Sequence, residues 1–304
     1  MKPTRTKLER QLAIALNNDD LDAIVTALDA RGSGGAATGA DPGTARNADK
    51  RLAARLIRAH LADRPRDLSK WCKKLLSRSE HNAHEAGLLL LPDLYVLHPI
   101  YAQRQLLIYA DSPNWEVREF AGSMSGRILD EHFDDFYPVM KKWTRHASEN
   151  VRRAVVIAAM EAADARQPAR GPKLLRLLDP LMADSSRYVR VNLGQFAVSL
   201  SLLKHYPNLT LKWLDAHSRK TNEYARWNVA MVWSAVGGRK RAQEGARILH
   251  RLAADNRRFV WRAAASATVK LGRARPDVVK PLVRKWRADP KRKHAAAVVA
   301  YYLQ

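Results

Sequence analysis

The sequence predicts an all-α fold, a HEAT-like or armadillo-like α-solenoid of stacked helical repeats. Three observations support this: apolar residues recur at i, i+3, i+4 and i+7, strand signals are nearly absent, and one short pattern returns every 34–38 residues. In such an array each helix pair buries its apolar face against the next pair. We therefore expect a single solenoid domain over residues 1–304, with the most regular repeats, which carry the candidate site, in 100–272.

The recurring pattern is a polar cluster followed by an apolar anchor residue, basic residues and a helix. Its copies are DSPNWEVREF (111–120), ASENVRRAVV (147–156), DSSRYVRVNL (184–193), TNEYARWNVA (221–230) and DNRRFVWRAA (255–264). The anchors are Val117, Val151, Val189, Ala225 and Val260, spaced by 34, 38, 36 and 35 residues. A second helix is expected between anchors, in 133–146, 172–183 and 207–218. A period of this length built from two helices is typical of HEAT-like repeats.

Composition limits the possible classes of protein. Hydrophobic residues make up 46% of the 304, which excludes general disorder, and 53 Lys and Arg against 30 Asp and Glu give a formal net charge of +23. Such an excess predicts a polyanionic partner, with nucleic acid ahead of an anionic membrane surface. No stretch approaches the roughly 18 apolar residues of a membrane span, and the N-terminus lacks an apolar signal core. We therefore expect an intracellular protein and consider secretion unlikely.

Two local features complete the organisation. Residues 32–46, GSGGAATGADPGTAR, form the only low-complexity stretch and are predicted to be a flexible loop. The single cysteine, Cys72, excludes an intramolecular disulfide. His81 and His84 lack a nearby third ligand in sequence, so no metal site is expected.

The helix predicted from DSPNWEVREF has an aromatic and an acidic residue that point away from its apolar stripe. Val117 and Phe120 lie on that stripe, whereas Trp115 and Glu119, one turn apart, point the opposite way. A tryptophan at helical spacing is usually packed in a core, and Trp115 could pack on a neighbouring repeat instead. Its direction nevertheless makes this face a candidate site.

The ends of the same helix give two further expectations. Ser112 is expected to cap the helix, with Pro113 as its first residue. Gly122 and Gly126 fall on the outward side with the tryptophan and the glutamate. A glycine costs a helix about 1 kcal/mol relative to alanine, so the pair indicates close approach of another helix or of a ligand.

Arginine recurs at one equivalent position directly after the anchors. These residues are Arg118, Arg152, Arg190 and Arg226, and the outward stripes of the later helices add Arg153, Trp227 and Arg262. Stacked repeats would align the arginines into a basic track suited to a phosphate backbone. Alternatively, they bond neighbouring carbonyl groups or pair with the nearby glutamates Glu116, Glu149 and Glu223.

Three stretches within roughly 100–260 resemble the AlkD-type bacterial DNA glycosylases, which have a HEAT-like fold. They are NWEVREFA, ENVRRAVVIA and RYVRVNLGQFAVSLSLLKHYPNLTLKWL. The resemblance implies that Trp115 and Glu119 stand where that family has an aromatic residue and a catalytic aspartate, and that Arg153 is the arginine of the second motif.

Besides having Glu119 where the family has an aspartate, the sequence departs from the family's pattern at one further position. The family's second aromatic falls on Gln195, so Trp227 or Phe196 would have to serve in its place. The related AlkC-type enzymes share the repeat pattern, but their carboxylates fall on Asn114, Ile157 and Ser199. The similarity to those enzymes therefore extends to the scaffold and not to the chemistry.

The resemblance implies excision of N3- or N7-alkylated purines from double-stranded DNA in base-excision repair, with no cofactor and no obligate protein partner. It also implies a place in the bacterial cytoplasm, in association with the nucleoid. Glu119 would stabilise the developing sugar cation and place a water, and Trp115 would attract the cationic base. Arg118, Arg152, Arg153 and Arg190 would hold phosphates. Two other classes stay open: a catalytically silent repeat protein that binds branched or bent nucleic acid, and a protein-interaction scaffold.

Overall fold

The computed structural model describes residues 5–32 and 43–303, which form helices joined by turns, with no strand among them. The prediction of an all-α, HEAT-like array of helical repeats is confirmed. Of the predicted flexible loop at 32–46, residues 33–42 lie outside the described residues. Within the described ranges, no helix combines the length and apolar character needed to cross a bilayer.

The chain divides into two compact units, Met1–Ile128 and Leu129–Gln304. The helices that begin in the first are α1 (Arg5–Asn17), α2 (Leu21–Asp29), α3 (Asn47–His60), α4 (Pro65–Leu76), α5 (His81–Leu90), α6 (Pro99–Ala110) and α7 (Trp115–Glu131). A short 3-10 segment, Leu91–Leu94, continues α5. The single domain over 1–304 stays a prediction beside this division.

A buried ion pair lies in the core of the first unit. Lys50 of α3 donates to the Glu85 carboxylate of α5, and both side chains are completely buried. The Lys50 ammonium also lies 5.1 Å from the centroid of the Phe120 ring of α7. Phe120 and the anchor Val117 are both buried, as predicted. The inward stripe of α7 therefore packs close to a charge whose carboxylate partner is provided by another helix.

The second unit contains the regular repeats. Its helices are α8 (Phe133–Trp143), α9 (Glu149–Glu161), α10 (Arg170–Leu178), α11 (Arg187–Asn192), α12 (Leu203–His205), α13 (Pro207–Arg219), α14 (Glu223–Val232), α15 (Val236–Arg239), α16 (Ala242–Leu252), α17 (Arg258–Ala274), α18 (Pro276–Arg287) and α19 (Lys293–Tyr302). The helices that carry the anchors pack on one another, α9 on α11 and α14 on α17. The anchors of this unit are all buried, which is why the apolar position recurs.

One segment of the second unit departs from the predicted helical period. Residues Leu193–Leu202, between α11 and α12, form a π-helix. The backbone of α15 lies against it, because a Cβ on Gly237 would stand 1.7 Å from the Ser199 carbonyl oxygen. The Gly238 N–H donates to the Ser199 hydroxyl at 3.0 Å. Only glycine fits at position 237, so the contact between the π-helix and α15 is fixed by the sequence.

We expect the substitution Glu85→Ala to lower the free energy of unfolding by about 3–5 kcal/mol, because it leaves the Lys50 ammonium buried without its carboxylate. Urea denaturation followed by circular dichroism measures the loss. The double variant Lys50→Met/Glu85→Leu removes both charges and should lose much less. Equal losses in the single and double variants would contradict this account of the pair.

Candidate nucleic-acid interface

Helix α7 begins two residues later than the sequence suggests. The Asn114 side-chain oxygen accepts from the backbone N–H groups two and three residues further on, at 2.8 and 3.3 Å, and the helix starts at Trp115. The predicted cap at Ser112 and the predicted start at Pro113 are therefore wrong. The Ser112 hydroxyl instead accepts from the Asn114 N–H at 3.2 Å, which orders the turn before the helix.

The first turns of α7 carry the Trp115 and Glu119 pair. Trp115 is 45% exposed, and Glu119 is half-buried. Gly122 and Gly126 are both buried, so the outward stripe does not continue past the glutamate as an open surface. The accessible part of this face is confined to the N-terminal turns of the helix.

The arginines that follow the anchors are held by the loops in front of their own helices. Arg118, Arg152 and Arg190 each donate through Nη1 to the two carbonyl groups six and five residues earlier in the chain. For Arg118 the two distances are 2.7 and 2.9 Å. The accepting carbonyls are those of Ser112 and Pro113, His146 and Ala147, and Asp184 and Ser185. The expected alternative, that these arginines bond neighbouring carbonyls, is thus confirmed for three of the four.

Each of the four arginines, Arg226 included, also stands four residues after a helix cap. The cap side chains are those of Asn114, Ser148, Ser186 and Asn222, and each accepts from backbone N–H groups of the helix that follows. The cap satisfies amide groups and the arginine satisfies carbonyl groups of the same loop. We call this combination the cap–arginine clamp. It explains why arginine recurs at this position without reference to any ligand.

Two of the arginines also form ion pairs with the following repeat. Arg152 binds both oxygens of Asp184, at 2.6 and 3.1 Å, and this carboxylate raises the pKa of the arginine. Arg226 lies 2.7 Å from a carboxylate oxygen of Asp255, although burial lowers its pKa. The glutamates Glu149 and Glu223 were the expected partners, but these ion pairs are made with aspartates because those lie in the loop that each guanidinium reaches.

Arg190 lies in an aromatic enclosure. It is only 8% exposed, and its guanidinium carbon stands 4.5 Å from the ring centroid of Tyr224, 5.6 Å from Trp227 and 5.5 Å from Phe259. Burial lowers its pKa. The Trp227 and Phe259 rings are stacked, 6.0 Å apart at 15°, and Tyr224 meets Phe259 edge-on. We call the three rings around Arg190 the aromatic cluster.

Arg153 has a related environment. It is buried, and its guanidinium carbon lies 4.8 Å from the ring centroid of Tyr188. The sequence reasoning above missed Tyr188, Tyr224 and Phe259. A signal was nevertheless present, because an aromatic residue stands directly before the anchor in three successive repeats, in RYVR, EYAR and RFVW.

A shallow depression of about 520 Å³ lies between α14 and α17. Trp227 and Phe259 line it together with the buried Met231, and Arg258 and Arg262 are exposed at its edge. It thus brings together the predicted residues Trp227 and Arg262. Of the predicted basic residues in the second unit, Arg262 is the one that is largely accessible.

Gln195 and Phe196 lie in the π-helix. Gln195 is half-buried, whereas Phe196 is 46% exposed. Neither lines the depression between α14 and α17. Trp115, Arg118 and Glu119 belong to the first unit, and the other predicted residues belong to the second.

No group of three or more His, Cys, Asp or Glu side chains suited to a metal occurs in residues 5–32 and 43–303. The polar groups at the candidate interface include carboxylates, guanidinium groups and amides, beside exposed aromatic rings. Such a set suits a cationic or planar ligand carried on a phosphate backbone.

A family model described as "DNA alkylation repair enzyme" matches residues 43–228. A search of curated proteins gives no match. Among solved structures, the chain is similar to a TOG domain of Crescerin, with 13% identity over 69% of this chain and 88% of that one, at a TM-score of 0.45. The chain is also similar to an archaeal HEAT-like repeat protein from Thermococcus onnurineus NA1, with 12% identity over 78% of this chain and 98% of that one, at a TM-score of 0.34. Likenesses at these TM-scores carry no argument about function.

We expect Arg152→Ala to lower the free energy of unfolding by about 2–3 kcal/mol. The substitution leaves two loop carbonyl groups and the largely buried Asp184 carboxylate without the guanidinium that they bind. Chemical denaturation measures the change. Arg187→Ala, at an exposed arginine in the next repeat, is the matched control and should stay within about 0.5 kcal/mol of the parent. An equally small loss for Arg152→Ala would contradict the cap–arginine clamp.

Proposed function

The chain belongs to the family of DNA alkylation repair enzymes, and from that premise we propose that it is a DNA glycosylase. Its proposed substrates are N3- and N7-alkylated purines in double-stranded DNA. The observation that carries the proposal is the exposed Trp115 one turn before Glu119 at the start of α7. Both residues lie within the segment that matches the family.

The chemistry asked of these residues is modest. An N-alkylated purine already carries positive charge, so its glycosidic bond is weakened and the leaving base needs little protonation. The sugar develops oxocarbenium character as the bond breaks, and a carboxylate nearby lowers the energy of that cation. In the proposal Glu119 supplies this negative charge and positions the attacking water through its other oxygen.

Trp115 has a different role in the proposal. The face of an indole ring attracts a cation, and this attraction strengthens where water is partly excluded. An alkylated purine is both cationic and planar, so an exposed tryptophan discriminates it from a neutral base. The exposed ring of Trp115 therefore provides selectivity, while the carboxylate provides rate.

The basic residues divide into two groups in this proposal. Arg118, Arg152, Arg190 and Arg226 already have carbonyl or carboxylate partners, so they contribute mainly through the positive potential of the surface. Arg262 is exposed and carries the direct phosphate contact. Arg153, buried beside Tyr188 in the second unit, is proposed to keep the DNA-binding surface of that unit ordered.

A second function is favoured by one specific observation. Gln195 stands where the resemblance to glycosylases leads one to expect an aromatic residue, and it is half-buried in a π-helix. This departure is consistent with a protein that binds alkylated or bent DNA without releasing a base from it. The two functions differ in whether a base is released.

We expect the protein to release N7-methylguanine from methylated duplex DNA, and Glu119→Gln to slow this release by about 100-fold or more, because the neutral amide cannot stabilise the sugar cation. Released base is measured by chromatography against a heat control, and DNA binding by fluorescence anisotropy. The variant should bind the duplex about as tightly as the parent.

The matched control is Glu131→Gln, an exposed glutamate at the far end of the same helix, which should leave the release rate unchanged. Absence of release by the parent protein above the heat control would exclude the glycosylase and leave the binding function. Equal slowing by both variants would exclude the proposed role of Glu119.

We expect the affinity for undamaged duplex DNA to fall linearly on a logarithmic plot against salt concentration, and Arg262→Ala to reduce the slope by about one unit, because one phosphate contact is lost. Anisotropy titrations at several salt concentrations measure the slope. Arg273→Ala, at an exposed arginine on the same helix, is the control and should keep the parent slope. An affinity that does not respond to salt would contradict phosphate binding.

A further inference from the structure

The depression between α14 and α17 combines a planar aromatic wall with a basic edge. Its wall is the stacked pair of Trp227 and Phe259, and Phe259 keeps 38% of its surface exposed. Met231 and Ala263 line it as buried apolar side chains. A volume of about 520 Å³ lies within the range of small-molecule sites and exceeds what a single flat ring requires.

The two arginines at the edge have no acidic partner in the described part of the chain. Arg258 and Arg262 stand four residues apart on α17, where like charges repel and destabilise a helix slightly. They differ in this respect from Arg152 and Arg226, which are paired with aspartates. A pair of accessible cations beside an open aromatic surface is complementary to an anion attached to a planar group.

The aromatic wall is held in place by contacts with Arg190 and Tyr224. Arg190 lies against all three rings of the aromatic cluster and is itself fixed by the loop carbonyls that it bonds. Tyr224 supports Phe259 edge-on at 5.8 Å. The exposed ring therefore does not have to become ordered when a ligand arrives, which lowers the entropic cost of binding.

We infer that this depression binds an unpaired nucleobase of DNA against the wall formed by Trp227 and Phe259, with Arg258 and Arg262 on the phosphates at either side of it. Aromatic stacking with flanking cations is the usual way in which proteins hold unpaired bases. Phe259, Arg258 and Arg262 lie beyond residue 228, outside the segment that matches the family. The inference rests on the proposed function only in taking DNA as the partner, and it adds a second contact remote in sequence from Trp115.

The test uses the full chain and two undamaged duplexes of one sequence, one fully paired and one with a single bulged 2-aminopurine. Anisotropy gives the two affinities, and 2-aminopurine emission reports stacking. The parent protein should prefer the bulged duplex and change its emission. Phe259→Leu, which keeps an apolar side chain but removes the π-face, should weaken binding of the bulged duplex by about 5- to 150-fold. Binding of the paired duplex should change by no more than about twofold.

Two matched variants complete the design. Tyr301→Leu removes another exposed aromatic ring of the same unit, outside the depression, and should keep the parent preference. Phe259→Tyr retains the aromatic ring and should also keep the preference for the bulged duplex. Thermal melting checks that each variant is folded. A preference for the bulged duplex that survives Phe259→Leu, or that Tyr301→Leu lowers equally, overturns the inference.

Because neither probe contains an alkylated base, the result does not depend on excision. A protein that prefers the bulge through Phe259 but releases no N7-methylguanine would support the nucleobase site and exclude the glycosylase. A protein that releases N7-methylguanine but shows no preference for the bulged duplex would support the glycosylase and exclude the nucleobase site.

Discussion

The cap–arginine clamp is the interaction on which the regularity of the repeats depends. A helix leaves unsatisfied amide groups at its start, and the loop before it leaves unsatisfied carbonyl groups. In three repeats a cap side chain takes the amides and an arginine four residues later takes two carbonyls of the same loop. Each anchor residue lies between these two contacts in sequence. The inward direction of the anchors, and hence the stacking of the helices, follows from how the loops are fixed.

Repetition made much of this fold predictable. The buried anchors Val151, Val189 and Val260 recur at intervals that only a two-helix repeat explains, and the second helices lie where the intervals require them. The direction of Trp115 also followed from the helical projection, because an angle between residues on one helix needs no knowledge of its neighbours. What each helix contacts could not be obtained in this way.

The features of the candidate interface that the sequence did not reveal have the same cause, because they depend on contacts between separate elements or on the path of the backbone. Arg152 looks like any exposed cation in sequence, and its partner Asp184 stands 32 residues away in another loop. Asn114 and Ser112 are both good caps, and only the path of the backbone decides between them. The π-helix at Leu193–Leu202 lies in close contact with Gly237, and no local pattern reveals that contact. Charge alone thus does not reveal which arginines are held by contacts within the protein, as Arg152 and Arg226 are, and which are exposed, as Arg262 is.

The ion pairs between Arg152 and Asp184 and between Arg226 and Asp255 couple neighbouring repeats energetically. If one repeat opens locally, its neighbour keeps a largely buried guanidinium or carboxylate that has lost its partner, which is costly. Opening should therefore spread to the adjacent repeat instead of stopping at the loop, so that the second unit exchanges its amide hydrogens in blocks larger than one helix pair. A chain that relies on such coupling tolerates changes on its helix surfaces far better than insertions in the loops that hold these charges.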